Sequence, residues 1–142
     1  PPLFYFGYGQ SYTNFEYSDL TVPATFNGGA DFKMNISVTV ANTGDHDGAE
    51  VVQVYVADLE SSLQRPRKEL KAFTKVRLAK GEKQTCTLSL NKYSLSFWSE
   101  EFSCWRAEAG EFAVIISRSA DPRDEVLRSV FYLPKTFMWS GL

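Results

Sequence analysis

The sequence predicts an all-β chain folded as a two-sheet antiparallel sandwich. Apolar residues recur with a period of two, the mark of strands with one buried face. Clusters of Gly, Asn, Asp and Pro punctuate these segments at short intervals, and helical periodicity is nearly absent. The chain has 142 residues, 44% of them hydrophobic, so one domain can bury a core without disulfides or metals.

The first strand is expected over Phe15 to Val22. After the turn Asn27-Gly28-Gly29, residues Met34, Ile36, Val38 and Val40 alternate with Lys33, Asn35, Ser37 and Thr39, which gives one apolar and one polar face. The turn formers from Asn42 to Gly48 then lead into the β-branched run Val51 to Val56, and these two strands are expected to pair as a hairpin. The segment Asp58 to Glu69 is polar and contains Pro66, so it reads as an extended loop in place of a short hairpin. Further strands are expected over Leu70 to Leu78, Gln84 to Leu90, Phe112 to Ser117 and Val126 to Leu133. About seven short strands in a chain of this size suit a sandwich of immunoglobulin or fibronectin type III kind. Trp98 and Trp105 are assigned to its core rather than to a sugar-stacking platform. Cys86 shares a face with Leu88 and Leu90 and reads as a small buried apolar residue; a bridge to Cys104 stays open.

Charge and composition exclude several functions. Lys+Arg total 15 and Asp+Glu 17, a net charge of −2, and the basic residues are scattered, so no nucleic-acid partner is expected. No apolar stretch reaches the roughly 20 residues that span a bilayer, so no membrane insertion is expected. The opening Pro1-Pro2-Leu3-Phe4 lacks the regions of a signal peptide. That says little about compartment, because a chain that opens in mid-motif can be a fragment with its targeting segment upstream; fragment and natural subunit both stay open. Secretion is slightly preferred over the cytoplasm.

The single histidine, His46, sits between Asp45 and Asp47 in a turn and lacks the partners of a nucleophilic triad or a metal site. No glycine-rich loop joins a strand to a helix, so neither a nucleotide site nor any other cofactor is expected. Glu100, Glu101, Asp121, Asp124 and Glu125 fall in apparent connections, where carboxylates are solvated and of ordinary acidity. A glycosidase acid needs a raised pKa in an apolar pocket.

Two clusters remain. Phe4, Tyr5, Phe6, Tyr8 and Tyr12 concentrate aromatic surface in a Gly-containing stretch, which either folds back on the sandwich or docks on a neighbouring domain. Arg65, Arg67, Lys68 and Glu69 gather where the long loop returns to a strand, and Arg65 with Glu69 is a candidate ion pair across a domain boundary. Phe4, Phe6, Tyr8, Tyr12, Arg65 and Glu69 are therefore the candidate interdomain contacts. Residues 1–14 are assigned as a linker and docking segment, and residues 15–142 as the sandwich. Asn35-Ile36-Ser37 is the sole Asn-X-Ser/Thr sequon, and alternation puts Asn35 on the polar face, where a glycan fits.

The run Leu3 to Thr13, reading Leu-Phe-Tyr-Phe-Gly-Tyr-Gly-Gln-Ser-Tyr-Thr, resembles the segment leading into the fibronectin type III-like domain of glycoside hydrolase family 3 β-glucosidases. The resemblance continues in order through Asn42-Thr43-Gly44, Asp47-Gly48, Glu50 to Val56, Arg65-Pro66, Lys68-Glu69-Leu70, Phe73 to Leu78 and Lys80-Gly81-Glu82. Ser96 to Glu100, Trp105, Glu108, Gly110-Glu111-Phe112 and the ending Phe137 to Leu142 are similar to fungal members. Gln10, Tyr5 and Ser99 depart from the residues usual at their positions.

The resemblance implies retaining hydrolysis of β-linked glucosides by a parent enzyme. Its aspartate nucleophile would lie on a (β/α)8 barrel and its glutamate acid/base on an α/β sandwich, neither of which this chain contains. No catalytic residue carries over. The implied role is a non-catalytic module that stabilises and docks on those two catalytic domains. The alternative is an accessory module whose exposed aromatics adhere weakly to polysaccharide or lignin-like surfaces. An independent adhesion-type domain is disfavoured by the length of the resemblance.

Overall fold

The computed structural model describes residues 13–23, 33–60 and 68–140. Its strands are β1 (Phe15–Thr21), β2 (Lys33–Asn42), β3 (Gly48–Asp58), β4 (Lys68–Leu78), β5 (Lys83–Asn91), β6 (Phe97–Ser99), β7 (Cys104–Ala107), β8 (Gly110–Ser117), β9 (Glu125–Leu133) and β10 (Phe137–Trp139). One sheet has the order β1-β2-β5, a second β4-β3-β8-β9, and a small third β10-β7-β6. All their pairings are antiparallel.

The first two sheets form the sandwich, and the period-two pattern is the reason. On β2 every second residue from Met34 to Val40 is at most 1% exposed, and Val52, Val54, Phe112, Val114 and Ile116 supply the facing layer. Phe112 and Phe131 stack in parallel with centroids 5.3 Å apart. The seven long strands match the sequence expectation within a few residues at each end.

The expected β2–β3 hairpin does not form. β2 pairs with β1 and β5, whereas β3 pairs with β4 and β8. The Asn42–Gly48 segment carries the chain from one sheet to the other, because the apolar faces of β2 and β3 both need cover and obtain it by facing each other across the core. The turn chemistry was right and its topology was not.

That crossing is organised by Asn42, which is 1% exposed. Its amide nitrogen donates to the carbonyls of His46 (2.8 Å) and Leu78 (3.1 Å), and its amide oxygen accepts from Gly44 N (3.0 Å) and Thr13 Oγ1 (3.1 Å). Its backbone N–H donates to the Glu82 carbonyl at 2.9 Å, and its carbonyl accepts from Gly81 N at 3.1 Å. Gly44 belongs to this junction: a Cβ there would lie 1.8 Å from Thr13 Oγ1 and 2.7 Å from Asn14 N. Replacing Asn42 by Ala strands several buried polar groups, so the chain should lose about 2–3 kcal/mol of unfolding free energy in a denaturant titration. Asn42→Asp, which keeps the acceptor and loses the donors, should also destabilise. A neutral result for both would remove the junction from the account of stability.

Candidate docking surface and the chemistry of the expected sites

Phe4, Phe6, Tyr8, Tyr12 and Arg65 lie outside the described residues. Glu69 lies on β4 opposite Val56, is exposed, and pairs with Lys71 (3.5 Å). β1 begins opposite Asn42, so the chain enters the sandwich at the end remote from Glu69. Asn35 is exposed on the outer face of β2, and its amide oxygen accepts from Ser89 Oγ at 2.8 Å across the β2–β5 pair. Cys86 and Cys104 are both buried free thiols, and burial pushes the Cys86 thiol up.

Three of the connecting carboxylates are structural rather than freely solvated, which corrects the sequence reading. Asp121 caps a single 3-10 turn by accepting from Arg123 N and is ion-paired with the Arg123 guanidinium at 2.5 Å. Hydrogen bonds from Arg123 hold its carboxyl below the usual range. Asp124 accepts from Ser119 Oγ at 2.5 Å. Glu125 pairs with Lys68 (3.0 Å) and Arg128 (3.3 Å). Burial pushes the Glu125 carboxyl up, but the hydrogen bonds and charges of Lys68 and Arg128 outweigh it and leave it lowered. Glu100 and Glu101 are exposed. Asp58 is raised by burial and by the nearby charges of Glu108 and Glu60, while its oxygen receives the Glu60 N–H of its own turn at 3.0 Å. Among the described residues no group of three or more His, Cys, Asp or Glu side chains is placed to hold a metal.

Lys68 is a described cation that joins distant strands. It begins β4, lies 5.0 Å from the Tyr55 ring centroid, and meets Glu125 of β9 across the outer face of the four-stranded sheet. Beneath it Tyr55, Ala57, Ala113 and Ile115 form a second buried cluster. Between the edges of β4 and β5 a groove of about 450 Å³ is lined by Leu70, Ala72 and Leu88 together with threonine, serine, Lys71 and Phe73.

The small sheet was not anticipated. The chain's three tryptophans occupy one cross-strand row, with Trp98 opposite Trp105 and Trp105 opposite Trp139. Trp98 and Trp105 meet edge to face at 5.5 Å, and Tyr93 adds edge contacts to Trp105 (5.4 Å) and Trp139 (5.8 Å). Phe137 and Trp139 pack on the sandwich core, and Ala107 belongs to it. The core assignment of Trp98 and Trp105 is thereby corrected: both sit on this separate sheet, and Trp98 is 46% exposed. Strands of three or four residues are too short to show an alternation, so sequence carried no signal for them.

The opposite face of this sheet carries an exposed aromatic and cationic strip built from paired side chains. Arg106 and Met138 are cross-strand partners, with Nη1 3.2 Å from Sδ, and the guanidinium lies 5.3 Å from the Phe102 ring centroid. Arg106 Nε also pairs with Glu108 at 3.3 Å. Phe102 is 53% and Met138 54% exposed.

The lowered carboxyls of Asp121 and Glu125 are expected to contribute to the acid limb of stability, against the raised carboxyl of Asp58. A carboxyl depressed in the folded state contributes fully above its unfolded pKa, about 4, and that contribution is lost as pH falls through the folded value. Thermal unfolding followed from pH 6 to pH 2 should show a steady fall in Tm below about pH 4. Glu125→Gln should flatten that limb while lowering Tm at pH 6; an unchanged limb would show that the Lys68 bridge contributes nothing.

The profile of the fibronectin type III-like domain matches residues 50–120. The chain is 46% identical over 127 residues to the thermostable β-glucosidase B of Acetivibrio thermocellus, covering 89% of this chain and 16% of that protein. It is 44% identical over 115 residues to an exo-α-(1→6)-L-arabinopyranosidase of Bifidobacterium breve, covering 81% of this chain and 15% of that protein. In the crystal structure of the β-glucosidase from Kluyveromyces marxianus with glucose, 96% of this chain superposes on 16% of that one, with a TM-score of 0.82 and 45% identity. The chain thus spans about a sixth of the length of such relatives, and the similarity reaches bacterial as well as fungal proteins. With two facing antiparallel sheets, a matching profile and this superposition, the chain belongs to the fibronectin type III-like domain family.

Proposed function

We propose that this chain is a non-catalytic module of a β-glucosidase-like glycoside hydrolase, which docks on the catalytic domains and stabilises them. The observation that carries this reading is the mismatch of coverage. Nearly all of this chain aligns with 16% of each of two β-glucosidases, which leaves the rest of those proteins to house the chemistry. The same kind of module accompanies a β-glucosidase and an arabinopyranosidase, so it travels with different sugar specificities rather than setting one. The chemistry of the side chains agrees: Asp121, Asp124 and Glu125 are committed to caps and ion pairs, where a general acid would need a free, raised carboxyl in a cleft. Residues 1–14 serve in this reading as the docking segment, with Phe4, Phe6, Tyr8 and Tyr12 as anchors and Arg65 and Glu69 as polar contacts at the interface. The parent would hydrolyse β-linked glucosides on its barrel and α/β sandwich domains.

The chain alone should give no hydrolysis of an aryl β-glucoside above background, and a parent lacking it should lose several degrees of Tm. Turnover by the isolated chain that disappears when one of its own carboxylates is mutated would overturn the reading.

Asn35 is proposed as a glycan site in a parent that enters the secretory route, since it is exposed on the outer face of the β1-β2-β5 sheet. Mass spectrometry of the natively secreted enzyme should find a hexose-bearing peptide at Asn35; an unmodified peptide would refute it.

A further inference from the structure

We infer that the outer strip of the small sheet, Phe102–Arg106–Met138, is the surface by which this module seats against the catalytic portion of its parent polypeptide. This rests on the reading of the chain as part of a longer enzyme.

The small sheet packs one face on the core and leaves the other exposed around Met138, with Ser99 and Cys104 of that outer face buried. Its inner face carries Ala107, Phe137 and Trp139 onto the sandwich core. Its outer face leaves Phe102 and Met138 more than half exposed, with Arg106 fixed between them. Phe, Met and Arg are the side-chain types enriched in protein interfaces. Arg106 is also ordered in advance: the Phe102 ring, Met138 Sδ and Glu108 Oε2 hold its guanidinium, so docking would cost little side-chain entropy. The partner fitting this strip offers a shallow apolar surface to Phe102 and Met138 and a carboxylate or carbonyl to the donors of Arg106.

Two other surfaces fit such a partner less well. The buried cluster on the four-stranded sheet already lies beneath Lys68 and Glu125. The β4–β5 groove has threonine and serine in its walls. A polysaccharide asks for aromatic rings lying flat in one plane. The tryptophans instead meet edge to face, at 79° for Trp98 and Trp105, so their rings share no plane. The catalytic portion is favoured over a second copy because it is covalently attached. The relatives carry this module as about a sixth of one chain, and a tethered partner acts at an effective concentration on the order of millimolar.

The test uses the parent polypeptide in four forms: unaltered, Phe102→Ser with Met138→Asp, Met138→Lys alone, and lacking the module. The 142-residue chain is tested alongside, with and without the substitutions. In the parent, the substitutions should lower Tm and raise the rate of proteolysis between module and catalytic domains about tenfold, while the substituted short chain melts as the unsubstituted one does. Met138→Lys, at a 54%-exposed position, replaces the double variant if the latter impairs folding of the short chain. A substituted parent as resistant as the unaltered one, beside a destabilised deletion form, would overturn this surface and leave the docking reading standing. A deletion form as stable as the unaltered parent would overturn both. A dimer of the short chain abolished by the substitutions would reassign the strip to self-association. Loss of binding to insoluble polysaccharide with no change in the parent's Tm would reassign it to substrate adhesion.

Discussion

Both sheets of the sandwich are tied at one end through the carboxamide of Asn42. A buried amide has two donors and an acceptor with two lone pairs, and here each of these four positions is filled, by His46, Leu78, Gly44 and Thr13. The partners belong to different parts of the fold: the entering chain, the inter-sheet turn and the end of β4 in the opposite sheet. The backbone of Asn42 adds the β4–β5 turn through Gly81 and Glu82. Each of these bonds is worth only about 1 kcal/mol net, but a buried polar group left without its partner costs more. The junction therefore tolerates one arrangement, and the direction from which the preceding polypeptide enters is fixed with it.

A second polar cluster stands at the same end. Tyr17 on β1 donates to Glu50 of β3 at 3.1 Å, and Arg118 lies 5.6 Å from the Tyr17 ring centroid while donating to the Phe15 carbonyl. Burial, reinforced by the Glu50 charge, pushes the Tyr17 hydroxyl far above its ordinary range, so it remains a proton donor at any physiological pH. Glu50 is 5% exposed, where a lone carboxylate would be costly. Its bond from Tyr17 joins the two sheets beside Asn42. Acidic residues that look like catalytic candidates in a composition count turn out to be fastenings.

The sandwich was legible because its strands are long enough to repeat. Met34 to Val40 offers several alternations, and each inward position is buried. Pairing partners were not legible: the turn residues between β2 and β3 specify a reversal of direction, and whether the chain returns in the same sheet or the facing one depends on which apolar face is left to cover. The small sheet escaped for a related reason. β6, β7 and β10 have three, four and three residues, and β10 finds β7 across about thirty residues of sequence, a pairing no local pattern encodes. The ion pairs were missed because Lys68 and Glu125 are remote in sequence and meet only once the strands have assembled into one sheet. Resemblance to a known family covered the whole chain, yet it named no partner for Arg106 or Met138.

The composition of β3 and β8 holds one further lesson about how this domain is built. A strand in an antiparallel sheet with one wet face should alternate, whereas Val51 to Ala57 and Phe112 to Ile116 are apolar almost without interruption, a pattern expected of strands covered on both sides. The inward set joins the main core, and the outward set, Tyr55, Ala57, Ala113 and Ile115, forms its own buried cluster. Part of its cover is a charged side chain: the Lys68 ammonium lies 5.0 Å from the Tyr55 ring centroid and pairs with Glu125. Gln53, fully buried on the same outer face, is satisfied by the Arg118 carbonyl and the Tyr55 hydroxyl at 2.9 and 2.7 Å. The central strands β3 and β8 thus run, covered on both faces, from the Asn42 end of the sandwich to the end that carries the small aromatic sheet.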